Sequence, residues 1–299
     1  MLKCEQATVL LDAFRTSELT PSEQDAIEHH IASCEICRAE LDELQRMSGS
    51  LLKHISLAPA SIRRAVITTL GDRIGAIETA LGQVWVGFNE RGLTFVSLLP
   101  SQPMDAQTAY RRRLGRDATL ADVPPRLAHA VKEAAEGRWS KDVPVDLNGL
   151  PMFERSVLEK MRTIPVGEVR PYAWLAAEAG SPRAVRAVGN IMNRNPVPLI
   201  LPCHRVVPST GGVGNYAYGS GIKRALLQRE GASPDAIDEL AHRRVRYLGS
   251  DTTHIYCYPT CRDARRIQPK HQVPFENERA ASAAGYRPCK HCRPLAVAV

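Results

Sequence analysis

Apolar and polar residues repeat with different periods in different parts of the chain. Between Ile67 and Leu99 the spacing is strand-like. Val84-Trp85-Val86-Gly87-Phe88 and Leu93-Thr94-Phe95-Val96 are β-branched and aromatic runs, and the turn residues Asn89-Glu90-Arg91-Gly92 separate them. A helix around residues 124–137 is expected to close this stretch. Farther on the period becomes helical. Tyr172 to Gly180 reads as one helix, and Ser181-Pro182 supplies a cap and a first-turn proline for a second, running to about Arg194. On the second helix Val185, Val188 and Met192 fall at i, i+3 and i+7 as a core stripe. Arg183, Arg186 and Asn190 share that spacing on roughly the opposite side, with small Ala187 among them. Such a pair, joined by a short Gly-containing turn and carrying a basic stripe of little bulk, suits a nucleic-acid groove.

Near the amino terminus, Leu19-Thr20-Pro21-Ser22-Glu23 combines a Thr cap, a Pro at the first helical position and a Glu three residues after the Thr, so a helix is expected to start there. Residues 51–62 read as a thin linker, and Arg111-Arg112-Arg113 as a solvated helix face without a role. No apolar run reaches the length of a membrane span, and Met1 to Gln6 lacks a signal-peptide layout. The expectation is a cytoplasmic protein without a membrane partner.

Composition narrows the class further. The 299 residues are 44% hydrophobic and 24% charged, and 20 glycines with 21 prolines exclude collagen-like and low-complexity chains. Net charge is +7 but unevenly spread: residues 1–60 hold 5 Lys and Arg against 10 Asp and Glu, whereas residues 241–299 hold 11 against 4. A polyanion would therefore meet the middle and the tail, not the head.

Six of the eight cysteines form three close pairs, which in a reducing compartment read as metal ligands. The first set is Cys4-x25-His30-x3-Cys34-x2-Cys37, a Cys3His site with His30 and Cys34 on one helix face. A structural Zn2+ helps explain how so short a segment folds. Its pattern resembles the zinc-finger anti-sigma module, which implies either a protein partner such as a sigma factor or a purely structural role. The last set is Cys257-x3-Cys261-x27-Cys289-x2-Cys292, a four-thiolate zinc site; His254, His271 and His291 stand off the pattern.

The strongest signal lies between residues 150 and 232. Asn195-Pro196-Val197-Pro198-Leu199-Ile200-Leu201 leads into Pro202-Cys203-His204-Arg205-Val206, with Gly167-Glu168-Val169 and Tyr172 before it and Gly214-Asn215-Tyr216, Leu226-Leu227 and Glu230-Gly231 after it. Over residues 62–235 the chain resembles the O6-alkylguanine-DNA alkyltransferases. That resemblance implies a Cys203 thiolate that takes the alkyl group of O6-alkylguanine, or of O4-alkylthymine, in one irreversible turnover. It also implies His204 as base through a bridging water, with Glu230 orienting it and Asn195 bracing the turn. Arg186 would fill the vacated stack, Tyr172 would contact the flipped base, and Val206 would read its edge. Arg183, Ala187 and Tyr216 join the DNA-binding set. Tyr218 stands where the family usually has Gly, so the range of accepted alkyl groups is open.

Around the last cysteine set, Thr252-Thr253-His254-Ile255-Tyr256-Cys257 and Gly285-Tyr286-Arg287-Pro288-Cys289-Lys290-His291-Cys292 resemble the Ada-type metal-binding domain. This implies methyl transfer from a methylphosphotriester to Cys257, with Arg262, Arg265, Arg266, Lys270, Arg287, Lys290 and Arg293 as phosphate contacts. The alternative is a zinc knob that only grips DNA.

The expected architecture is multidomain α/β. A helical Cys3His module occupies 1–50, a ribonuclease-like α/β subdomain 62–145, a winged helix-turn-helix catalytic domain 146–235 and a Cys4 zinc domain 245–295. Two structural Zn2+ ions, no organic cofactor and double-stranded DNA carrying alkylated guanine complete the expectation. Two other classes use the same residues: a methylation-responsive DNA-binding transcriptional regulator, and a partner-binding anti-sigma-type module.

Overall fold

The computed structural model describes residues 2, 4–15, 19–43, 71–98 and 103–295, and the linker expected at 51–62 lies outside them. The chain divides into two compact units. One comprises Met1–Gly71 with Asn148–Arg155; the other comprises Asp72–Leu147 with Ser156–Val299.

In the first unit, helices Cys4–Arg15 and Pro21–Ser33 are followed by a helical stretch at 35–43. Thr20 caps the second helix through a capping box: its side chain accepts from the Glu23 amide, and Glu23 accepts from the Thr20 amide at 2.9 Å. The core is small, with Ala7, Leu11, Ile27, Cys37 and Leu41 buried. So few apolar side chains make a metal staple physically apt.

The second unit opens with a mixed four-stranded sheet of order β3-β2-β1-β4, where β1 is Asp72–Thr79, β2 Gly82–Asn89, β3 Gly92–Ser97 and β4 Ala118–Leu120. Neighbours β1, β2 and β3 are antiparallel, and β4 runs parallel to β1. The Gly-containing turn expected between the two apolar runs joins β2 to β3, with Gly92 at φ 138. Helix Pro103–Leu114 packs Ala106 and Tyr110 against Ile74, Trp85 and Phe95. Helix Pro125–Ala135 buries Leu127, Val131, Ala134 and Ala135. At the sheet end Asn89 Nδ2 donates to Asp72 at 2.9 Å and to Asp146 at 2.7 Å, so the buried carboxylates are bonded instead of stranded.

Helices Tyr172–Glu178 and Val185–Asn193 follow. The second begins at Val185, not at Ser181-Pro182. Ser181 N still bonds Ala176 O at 2.9 Å, and Ala184 N closes a turn onto Ser181 O at 2.9 Å, so residues 181–184 finish the preceding helix before the next can start. Its buried stripe is Val188, Ile191 and Met192. Short strands β5, Arg170–Pro171, and β6, Val206–Val207, pair in parallel and set the segment before Tyr172 against the segment after His204-Arg205. Helices Ser220–Arg229 and Pro234–His242 come next.

The tail carries a second four-stranded sheet of order β10-β8-β7-β9, with β7 Tyr247–Ser250, β8 Ile255–Cys257, β9 Gln272–Phe275 and β10 Arg287–Pro288. The Tyr247 ring meets Tyr256 edge-on and Tyr258 at a tilt, each with ring centres 5.3 Å apart.

Candidate active site

Local sequence explains the turn that holds Cys203. Proline at 196 and 198 bars continuation of helix Val185–Asn193. The chain instead crosses the interior, with Asn195 through Val207 all buried. Leu199 takes φ 73, a left-handed conformation that costs a non-glycine residue about 1–2 kcal/mol and that the packing around it must sustain. Asn195 ties the two ends of this crossing together. Its Oδ1 accepts from Val197 N at 3.0 Å, and its Nδ2 donates to Leu201 O at 2.8 Å and to Cys203 Sγ at 3.1 Å. From the segment after helix Pro125–Ala135, Trp139 Nε1 donates to Ile200 O at 2.8 Å.

Cys203, 4% exposed, opens a three-residue 3-10 turn with His204 and Arg205. Tyr216 Oη lies 3.6 Å from its sulfur. His204 Nε2 bonds Glu230 Oε1 at 2.8 Å. Because a carboxylate only accepts, Nε2 carries the proton and Nδ1 keeps the lone pair. That Nδ1 is buried and meets no hydrogen-bonding atom among the described residues. Glu230 is held from four directions. Arg205 Nε and Nη2 donate to both its oxygens at 2.8–3.1 Å, and Gly167 N donates to Oε2 at 3.2 Å, beside the His204 bond. Arg205 is fully buried, donates to Ile164 O at 2.6 Å and stacks on Trp139 at 4.5 Å.

These contacts set the protonation states. Burial pushes the Cys203 thiol up, opposed by bonds from Asn195 and Tyr216 and by the Lys223 charge. Burial also lowers His204, outweighing the pull of Glu230, so the imidazole is neutral at pH 7. Burial works against charge on Glu230, but His204 and Arg205 bring it down to about 2. Lys223 is buried, donates to Val206 O at 2.7 Å, and is lowered by that burial to about 8 despite attraction to Cys203.

The remaining expected residues sort by exposure. Arg183, Arg186 and Ala187 all face solvent. Among the described residues a side chain at Gly189 would meet no other atom within 4 Å, leaving an open helix face that carries Arg186; Arg183, expected on the same stripe, lies instead in the turn before the helix, because the helix starts only at Val185. Tyr172 is half-buried, raised by burial and by its proximity to Cys203. Tyr216 and Tyr218 pack with ring centres 5.6 Å apart, so Tyr218 narrows the space beside the sulfur. Arg205 and Lys223 went without a role at the sequence level. An arginine and a lysine of this kind read locally as solvated charges, and only tertiary burial reveals them.

Both cysteine sets close. The ligand atoms of Cys4, His30, Cys34 and Cys37 lie within 4.8 Å of one another, as do those of Cys257, Cys261, Cys289 and Cys292. In the first, Cys4 Sγ and Cys34 Sγ are 3.7 Å apart and His30 Nε2 is 3.3 Å from Cys37 Sγ. A tetrahedron with metal–sulfur bonds of ~2.3 Å needs sulfurs about 3.8 Å apart, so the donors fit zinc. Next to the second set, Asp263 Oδ2 accepts from His291 Nδ1 at 2.5 Å and lies 3.2 Å from Cys289 Sγ. A cavity lined by Cys257, Arg266, Lys270, Arg287 and Lys290 adjoins it. Arg293, expected at phosphate, instead pairs with Glu178 at 2.6 Å. Among the described residues no helix is long and apolar enough to cross a membrane.

Comparison with known proteins agrees with this geometry. Residues 152–232 match the model of the 6-O-methylguanine DNA methyltransferase DNA-binding domain, residues 238–294 the metal-binding domain of Ada, and residues 4–38 a zinc-finger model. A methylated-DNA–protein-cysteine methyltransferase of Homo sapiens is 54% identical over 80 residues, 26% of this chain and 39% of that protein. Those of Methanosarcina barkeri and Shigella flexneri are each 34% identical, over 52% of this chain and 94% and 93% of theirs. The solved Mycobacterium tuberculosis O6-methylguanine methyltransferase is 29% identical over 53% of this chain and 92% of its own, with a TM-score of 0.44.

Proposed function

The chain belongs to the methylated-DNA–protein-cysteine methyltransferase family, and from that premise we propose that Cys203 is the acceptor through which it repairs O6-alkylguanine in DNA. The observation that carries the reading is the bonded series from Asn195 to Cys203 and from His204 to Glu230 and Arg205, buried from end to end. A resting thiol and a neutral imidazole are the correct starting states. His204 Nδ1 takes the Cys203 proton through a water. The thiolate attacks the first carbon of the alkyl group, a C–S bond forms, the C–O bond breaks, and the electron pair stays on guanine, which receives the proton. Glu230, ionised throughout, stabilises the transient imidazolium while Arg205 fixes the carboxylate. The thioether does not leave, so each molecule reacts once.

The lesion lies inside the duplex stack and must be extruded, at a cost of a few kcal/mol. Arg186, exposed on the open face of helix Val185–Asn193, fills the gap; Arg183 contacts phosphate, and Ala187 permits close approach. Tyr172, Tyr216 and the Val206 backbone line the base. Tyr218 restricts the alkyl group.

The Cys257 set would hold zinc, which keeps its sulfurs as thiolates. With metal bound, Cys257 would accept a methyl group from a phosphotriester, with Arg266, Lys270, Arg287 and Lys290 receiving the phosphate: one C–O bond would break, a C–S bond form and a phosphodiester anion leave. The Cys3His module would hold the second zinc. By resemblance this module would bind a protein partner such as a sigma factor, with exposed Ile36 a candidate contact. Peptide mapping after reaction with DNA carrying O6-methylguanine tests the main reading: methyl on Cys203 supports it, and an unmodified Cys203 rejects it.

A further inference from the structure

We propose that the Thr260 side chain, together with the Arg262 backbone amide, on either side of Cys261 in the tail's zinc knuckle, positions the Cys203 centre. The inference rests on the assignment of Cys203 above, and it joins two sites that no motif connects.

Residues Gly167–Pro171 form a short bridge. On one side the bridge serves the catalytic turn: Gly167 N donates to Glu230 Oε2 at 3.2 Å, and Arg170–Pro171 pair with Val206–Val207. On the other side it is gripped by the knuckle. Val169 N donates to Thr260 Oγ1 at 2.9 Å, and Arg262 N donates to Glu168 Oε1 at 3.0 Å. Glu168 is 2% exposed and its other oxygen binds buried Arg170, whose guanidinium lies 5.3 Å from the Tyr258 ring. A buried carboxylate so placed has no cheap alternative partner, so the contact with Arg262 is fixed by desolvation as well as by attraction.

Gly167 is the hinge of this arrangement. Its φ is 71, and a side chain there would sit 2.6 Å from Glu230 O, so only glycine lets the bridge backbone pack this closely against Glu230. Cys257 and Cys261 enclose Tyr258, Pro259 and Thr260, and one ion bound by both cysteines fixes the loop between them. Coupling therefore runs from knuckle to bridge to Glu230 to His204, through hydrogen-bonded and packed groups only. Loss of the metal should loosen the bridge, and loss of the bridge should misorient the base.

The test uses the full chain as Thr260→Val, which keeps shape and removes the acceptor, and Thr260→Ser, which restores it. Losing one such bond predicts about a fivefold slower single-turnover methylation of Cys203 by duplex DNA carrying O6-methylguanine in Thr260→Val, with a shifted acid limb of its pH–rate profile, and recovery in Thr260→Ser. Amide hydrogen exchange of the peptide spanning residues 167–171 is the second readout: it should quicken in Thr260→Val, and quicken in the wild-type chain when a chelator strips the metal. Unchanged exchange in both would overturn the proposal, as would a wild-type rate and pH profile in a folded Thr260→Val. If Cys203 of the wild-type chain takes no methyl from this DNA, the assignment of Cys203 fails on its own, and the exchange readout still decides the coupling.

Discussion

Cys203 and Cys257 are both buried, and their surroundings prepare sulfur in opposite ways. At Cys203 there is one thiol, raised by burial, with amide, phenol and imidazole groups about it and a fixed carboxylate behind the imidazole. At Cys257 four sulfurs crowd within 4.8 Å, an arrangement that only a cation makes tolerable. The first sulfur must be deprotonated at the moment of reaction, so its reactivity depends on a base. The second would be a thiolate whenever metal is bound, so the reactivity proposed for it would depend on occupancy. Identical residues thus acquire different control variables from their neighbours.

The largest expected effects separate these sulfurs outright. Cys203→Ala removes transfer from O6-methylguanine completely while leaving phosphotriester transfer intact, whereas Cys257→Ala abolishes phosphotriester transfer and, by opening the metal site, slows transfer to Cys203 only several-fold; intact-mass measurement on each substrate reads both. Next comes the base. His204→Ala should slow the Cys203 reaction by roughly 10²–10⁴-fold, the usual worth of a positioned general base, with no effect at Cys257.

Glu230→Gln sharpens the comparison through stability as well as rate. It strands Arg205, a fully buried cation, at a cost of about 3–5 kcal/mol visible in denaturant unfolding. The sign with pH follows from the lowered carboxyl. A folded value of about 2, below the ordinary ~4.3, stabilises the fold above the ordinary value, and that contribution is lost as acid approaches 2. Wild-type stability should fall over that window, and Glu230→Gln should show a flatter acid limb. The rate behaves differently: because burial lowers His204, Cys203 alkylation should persist below the ordinary imidazole value of ~6.5.

The smallest effect concerns substrate range. Tyr218→Gly opens the space beside Tyr216 and should raise the rate with a benzyl lesion relative to methyl by about tenfold, in line with the modest discrimination an apolar pocket gives. Competing the two substrates in one reaction measures it.

Much of this was legible from residues alone. The capping box at Thr20, the β2–β3 turn and the two cysteine spacings are short-range patterns, and each sits where its spacing puts it. The Cys203–His204 pair is readable because nucleophile and base are adjacent. Glu230, 26 positions away, is reachable only by resemblance. Arg205, Lys223, Glu168 and Thr260 carry no local signal: their importance comes from burial and from partners 17 to 94 positions distant, which periodicity cannot encode. The start of helix Val185–Asn193 was displaced for a similar reason, since Ser181 was already committed to the helix before it.

The most direct measurement is site-resolved mass spectrometry of the reduced, full-length chain after one turnover on duplex DNA bearing a single O6-methylguanine. One methyl group on Cys203, stoichiometric with lesion lost, is the predicted result. Lesion loss with methyl elsewhere, or an intact lesion beside folded, reduced protein, would contradict it.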